Sequence, residues 1–135
     1  MVNDIISSII LKLDTLFGED SVIHRESIEQ GFKSPCFFVK MLTTSHKLVL
    51  NNRYFFRHSF DIHYFPGDGK KNAEMYLAGD KLYNLEYISN GNDLIRGTGM
   101  RYEIIDDVLH FFVQYNYYAY LSKEEAEKMQ SIDIK

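Results

Sequence analysis

The stretch Arg53–Pro66 reads RYFFRHSFDIHYFP, and it alternates. Successive side chains of a strand point to opposite faces of its sheet. Here the even positions are Tyr54, Phe56, His58, Phe60, Ile62 and Tyr64, an apolar set holding one histidine. The odd positions are Arg53, Phe55, Arg57, Ser59, Asp61, His63 and Phe65, a polar and charged set. A period of two over this length predicts a strand with one face in the core. Val108–Leu121 repeats the pattern. Leu109, Phe111, Val113, Tyr115, Tyr117, Ala119 and Leu121 share an apolar side. Val108, His110, Phe112, Gln114, Asn116, Tyr118 and Tyr120 share a mixed, tyrosine-rich side. Such a second face is either wet or covered by a partner, and Tyr and Arg are enriched where proteins meet.

The alternation also limits the chemistry. His58 and His63 fall on opposite faces, so one metal ion cannot take both unless a bulge intervenes. A histidine on an apolar face reads as a core residue hydrogen-bonded to a neighbour. Asp61 and His63 share a face, which permits a carboxylate–imidazole contact. Neither HExxH nor clustered Cys and His supports it. The expectation is therefore no catalytic, cofactor-binding or metal-binding residue. The rival is a small α+β enzyme or ligand-binding domain using Asp61, His63 and His110. The run Gly67-Asp68-Gly69-Lys70-Lys71 lacks P-loop spacing and reads as a turn leading into a helix. Leu94–Gly99 (LIRGTG) leads into a strand, unlike a dinucleotide fingerprint. Cys36 lies in CFFV, where a buried inert thiol is expected.

The remaining chain supplies two helices and more strands. Val2, Ile5, Ile6, Ile9, Leu13, Leu16 and Phe17 predict an amphipathic helix, with Asn3 as its cap and Gly18 at its end. A short strand is expected around Val22–Glu26, and Gln30–Pro35 as a loop. Cys36–Leu50 reads as a strand joined to the next through Asn51-Asn52, forming a long hairpin with a projecting tip near Thr44–Asn52. Lys71–Ile88 reads as a helix with Met75, Ala78, Leu82 and Leu85 on one side, interrupted by Gly79. Met100–Asp106 and Val108–Leu121 read as strands joined at Asp106-Asp107, two adjacent carboxylates expected to be solvated. Residues 122–135 read as a polar tail or short helix. The fold class expected is α+β: a two-layer sandwich with a mainly antiparallel or mixed sheet of four to five strands. Two helices pack on one face.

At 135 residues this is one domain. Ten Phe, ten Tyr and no Trp favour strands and contact surfaces. A net charge of −4 argues against a nucleic-acid grip based on overall charge. One cysteine allows no intramolecular disulfide and suits a cytosolic origin. The start MVNDIISSIILKL lacks a basic n-region and a small-residue cleavage site, so no signal peptide is expected. No apolar run reaches membrane-spanning length.

Several stretches together resemble the small phage tail terminator proteins of Gram-positive phages, prophages and phage tail-like particles. They are Ile28–Gly31, Pro35–Lys40, Asn52–Tyr54, Phe60–Pro66, Leu94–Gly97, Met100–Ile104 and Val108–Val113. The resemblance covers nearly the whole chain and rests on fold sequence, not on a catalytic signature. It implies a structural virion protein, not an enzyme, that needs no cofactor. Such a protein forms a ring, typically a hexamer, on the finished tail tube and stops its growth. The implied partners are further copies of itself, the tail tube protein and a head–tail connector or sheath protein, with no membrane. DNA passes through such a ring without specific binding. The implied place is the head-proximal end of the virion tail, after assembly in the host cytoplasm. Contractile, headless tailocin particles use the same part. A head–tail connector or stopper is the closest alternative. Residues expected at assembly interfaces are His46, Lys47, Arg53, Arg57, Asp61, Tyr115 and Tyr118.

Overall fold

The alternating stretch is a central strand. A computed structural model describes residues 2–18, 22–24, 35–67, 71–91 and 93–121. The elements are α1 (Val2–Phe17), β1 (Val22–His24), β2 (Cys36–Leu50), β3 (Arg53–Phe65) and α2 (Lys71–Leu82). A 3-10 turn (Tyr83–Glu86), β4 (Tyr87–Asn90), β5 (Asp93–Ile105) and β6 (Val108–Tyr120) follow. The expected loop from 30 to 34, the turn at 68–70 and the tail at 122–135 lie outside the described residues.

One six-stranded sheet has the order β1-β2-β3-β6-β5-β4. Six strands replace the expected four to five, and the sheet curls into a half-barrel in an α+β fold. β1 runs parallel to β2 over three residues, and the other neighbours are antiparallel. Three short turns set the registers. Asn51 (φ 54°) begins the β2–β3 turn, and Gly91 (φ 67°) the β4–β5 turn. Asp106 (φ 51°) and Asp107 (φ 62°) form the β5–β6 turn, both exposed and left-handed as a two-residue hairpin turn with matching twist requires. Asn52 then ties the end of β6 to the first turn. Its carbonyl accepts from the Leu121 amide at 2.9 Å, and its side-chain amide donates to the Leu121 carbonyl at 3.0 Å.

The inner face follows the alternation. Phe60, Ile62 and Tyr64 of β3 lie opposite Val113, Phe111 and Leu109 of β6. They share one core with Phe37 and Val39 of β2, Ile5, Ile9 and Leu13 of α1, and Met75, Ala78 and Leu82 of α2. α1 begins at Val2, which puts Asn3 inside the first turn and not at the cap. Gly18 ends α1 with φ 68°, the backbone a terminal glycine supplies. Glu74, in the first turn of α2, receives the Tyr64 hydroxyl at 2.7 Å and the Gly67 amide at 3.2 Å, fixing how the chain leaves β3.

Two sequence expectations change here. The helix expected to run to Ile88 ends at Leu82, and Tyr87–Asn90 is a strand. The strand expected from Met100 already starts at Asp93, so LIRGTG lies within β5 and does not merely lead into it. Gly99 (φ 61°) sits at a bulge between Thr98 and Arg101. At Gly97 an added Cβ would meet Val113 Cγ2 at 2.8 Å, Tyr115 Cε1 at 3.1 Å and the Leu85 carbonyl oxygen at 3.2 Å. At Gly79 it would meet only the Tyr102 ring, at 2.8 Å, and that ring is partly exposed and able to swing. Gly97→Ala is therefore expected to cost about 1–3 kcal/mol by overpacking. In Gly79→Ala the helix propensity gain of about 1 kcal/mol offsets the push on Tyr102. Urea unfolding of the two variants checks this; a Gly97→Ala midpoint no lower than that of Gly79→Ala would contradict it.

Candidate functional site

The odd residues of β3 and the even residues of β6 build the outer face of the sheet. β2 adds Phe38, Lys40, Thr43, Ser45 and Lys47 to it, and β5 adds Thr98, Arg101 and Glu103. Neither helix shares a core with these residues. The outer arginines lie on aromatic rings. Arg53 sits 4.2 Å from the Tyr118 ring centre, Arg101 sits 4.2 Å from Phe112, and Arg57 sits 5.4 Å from Phe55. Cation–π contacts of this kind hold a guanidinium flat and leave its edge for a partner. Beyond Lys40 the outward edge of β2 runs through exposed residues, among them Leu42, Leu48, Val49 and Leu50.

The expected interface residues separate by depth. Lys47, Arg57 and Tyr118 are exposed, and Arg53 is half-buried under Tyr118. His46 lies on the inner side of the hairpin, against Tyr54 at 5.8 Å and Phe56 at 5.9 Å. It and Lys47 sit back from the turn at Asn51 and Asn52. Tyr115 is corrected: it has 0% exposure, and its hydroxyl donates to the Leu85 carbonyl at 2.6 Å. Its odd position in β6 turns it inward, and burial raises its pKa. Asp61 is also buried, at 6% exposure, although it lies on the outer face.

Asp61 is buried because its own chain surrounds it. Asp61 Oδ2 accepts from His63 Nε2 and from His110 Nδ1, each at 2.9 Å. The register explains the meeting, since His63 stands directly opposite His110 across β3 and β6. Burial alone would raise the Asp61 pKa. The hydrogen bonds and charge of the two imidazoles outweigh it, and the net direction is down. The structure thus joins Asp61, His63 and His110, with no serine, cysteine or threonine among the described residues hydrogen-bonded to the group. The sequence groups these three residues only under the rival enzyme or ligand-binding reading; alternation gives their faces, and the cross-strand register supplies their contact.

His58 takes the role expected of it. It is 1% exposed, with Nδ1 2.7 Å from Thr44 Oγ1 and Nε2 3.1 Å from the Tyr117 hydroxyl. Both partners are hydroxyls, which can donate or accept, so a neutral ring is satisfied on both nitrogens.

A family model described as phage tail terminator protein matches residues 4–127. The chain belongs to the phage tail terminator family. That family is one of phage tail structural proteins and not of enzymes, so this terminator is a virion tail component that works with other tail parts. A comparison with curated proteins finds no match. The outer face of the terminator, rich in arginine and tyrosine, is the surface to examine for assembly.

Burial pushes the pKa of His58 in the terminator down to about 4. An unfolded histidine takes up its proton near 6.5. Between those values the unfolded chain binds a proton that the folded chain refuses, so stability falls as pH falls through this window. The full loss from His58 is about 3 kcal/mol. Asp61 acts at lower pH: its contribution is present above the unfolded carboxylate range near 4 and is lost as pH falls through its lower folded value. Urea unfolding of the wild type and of His58→Gln at a series of pH values between 7.5 and 4.5 separates the two. The variant is expected to lose stability less steeply; equal slopes would refute a neutral His58.

Proposed function

We propose that this terminator closes as a ring, a hexamer by family resemblance, on the finished end of the tail tube. There it stops tube polymerisation and forms the tail side of the head–tail junction. The observation that carries the reading is the family match across residues 4–127. Its surface supports an assembly role. Among the described residues, β2 beyond Phe38 pairs only with β3, and β5 beyond Arg96 pairs only with β6. The two sides of the sheet therefore offer different backbone edges, suited to head-to-tail contacts between copies. The hairpin end adds Leu48, Leu50, Tyr118 and Tyr120 as exposed apolar surface beside Lys47, Arg53 and Arg57. These are the residues we assign to contacts with the neighbouring copy or the last tube ring.

Electron microscopy of particles from a strain lacking the gene tests the function. Over-long, headless tubes of variable length are expected. Tails of normal length that fail to join heads would move the protein to a connector or stopper, and normal particles would overturn the structural reading. For the surface, Arg57→Glu with Lys47→Glu reverses two exposed charges outside the core. Complementation is expected to fail or drop at least tenfold in plaque or killing titre, with unfolding midpoints unchanged. Full complementation would remove these residues from the interface.

A further inference from the structure

Asp61, His63 and His110 form the densest cluster of metal-binding donors on the outer face. Each offers one ligand atom, and all three atoms lie within 4.8 Å of one another. Two of the three separations are already 2.9 Å, both to Asp61 Oδ2. Ions with bonds of about 2.0–2.1 Å to nitrogen and oxygen need ligand atoms about 3.3 Å apart in a tetrahedral arrangement. The two 2.9 Å separations are a few tenths of an ångström short of that spacing.

A second observation points the same way. Both imidazoles donate to the same carboxylate oxygen, while Asp61 Oδ1 is buried and has no hydrogen-bond partner among the described residues. Leaving a buried carboxylate oxygen empty is costly. A cation that both carboxylate oxygens chelate removes that cost; His63 Nε2 and His110 Nδ1 ligate it once their protons have moved to the other ring nitrogen or left to solvent. The scaffold is rigid, with all three ligands on the paired central strands β3 and β6. Phe38 packs edge-on against His63 at 5.5 Å, and Phe112 stacks beside His110 at 6.4 Å. The His63 and His110 side chains keep 17% and 18% of their surface, so an ion can enter and water can complete its shell.

We propose that Asp61, His63 and His110 bind one divalent transition-metal ion per chain, with zinc the leading candidate. Two imidazoles and one carboxylate suit zinc and its neighbours. Calcium and magnesium prefer all-oxygen shells and are disfavoured. The ion ties β3 to β6 on the face that carries the terminator's exposed arginines. The inference stands apart from tube capping and survives whichever tail position the protein takes.

The test titrates the purified, metal-stripped full chain with cobalt chloride and follows visible absorption, then repeats with zinc by calorimetry. One equivalent is expected to bind, with cobalt d–d bands and a higher unfolding temperature that a chelator reverses. His63→Gln and His110→Gln are each expected to weaken binding by about 100-fold or more, beyond the 10–100-fold typical of outer-shell partners. His46→Gln is expected to bind as the wild type does. Absence of stoichiometric binding by the wild-type chain overturns the proposal, whatever the variants do. So does binding retained in both His63→Gln and His110→Gln. Should either glutamine variant fail to fold by circular dichroism, the near-isosteric Asp61→Asn takes its place, and unweakened binding there also overturns the site.

Discussion

Everything in this chain depends on the pairing of β3 with β6 along their whole length, from Arg53 opposite Tyr120 to Tyr64 opposite Leu109. A slip of one residue would move every side chain to the other face. A slip of β3 would send Phe60 and Ile62 to solvent and Asp61 and His63 into the helices' core; a slip of β6 would do the same to Phe111 and His110. The penalty for such a slip is many buried aromatic and aliphatic side chains, each contributing about 1.5–3 kcal/mol. The apolar face therefore fixes the polar face. Arg53, Arg57 and the Asp61 cluster are held in place by residues they never touch.

Along its length the sheet divides into two zones. The β2 bulge between Met41 and Thr43 and the β5 bulge between Thr98 and Arg101 flank the same rows, those of Phe60 with Val113 and Ser59 with Gln114. Bulges bend strands and increase twist, so both sides of the sheet turn at one level. Below that level α1 and α2 cover the inner face. Above it a second, smaller cluster forms from Tyr54, Phe56 and Leu121, with Tyr117 and Ala119 packed against it. His58 lies just above the bend, and its two hydroxyl partners satisfy the ring where the apolar packing changes hands. The same strand thus holds one histidine dry at position 58 and another partly wet at position 63.

Alternation made this division legible in the sequence. It assigned the face of every residue in β3 and β6, the burial of His58 and the shared face of Asp61 and His63. The errors have local causes. Leu82 and Leu85 continue a three-residue spacing through the 3-10 turn, which keeps them on one side as a helix would. That spacing hid β4. Gly97 and Gly99 were placed ahead of a strand starting at Met100, yet they lie within it: one lets the Leu85 backbone approach and the other makes a bulge. Tyr115 was expected at an assembly surface because tyrosine is common there. Its odd position in β6 was the better guide, and its hydroxyl finds a backbone acceptor in the core. Cross-strand register needs tertiary structure: the rival reading named Asp61, His63 and His110 together, and the β3–β6 pairing is what brings them into contact.

The open sides of the sheet bear on how its edges can pair. Long unpaired strand edges invite uncontrolled pairing, and proteins blunt them with short edge strands, charges and bulges. Here β1 and β4 shield only one end of their neighbours, leaving the outer side of the rest of β2 and β5 without a strand partner among the described residues. Each of those exposed stretches carries a bulge and charged residues: Lys40 and Lys47 on β2, Arg101 and Glu103 on β5. A bulge interrupts the ladder, so a neighbouring strand can register on one side of it but not run straight through. Two unlike edges, each usable over a restricted length and angled by its bulge, favour a fixed rotation between copies over a flat, extending sheet. A fixed rotation that closes gives a ring, and a closed ring has no free edge left to recruit another copy.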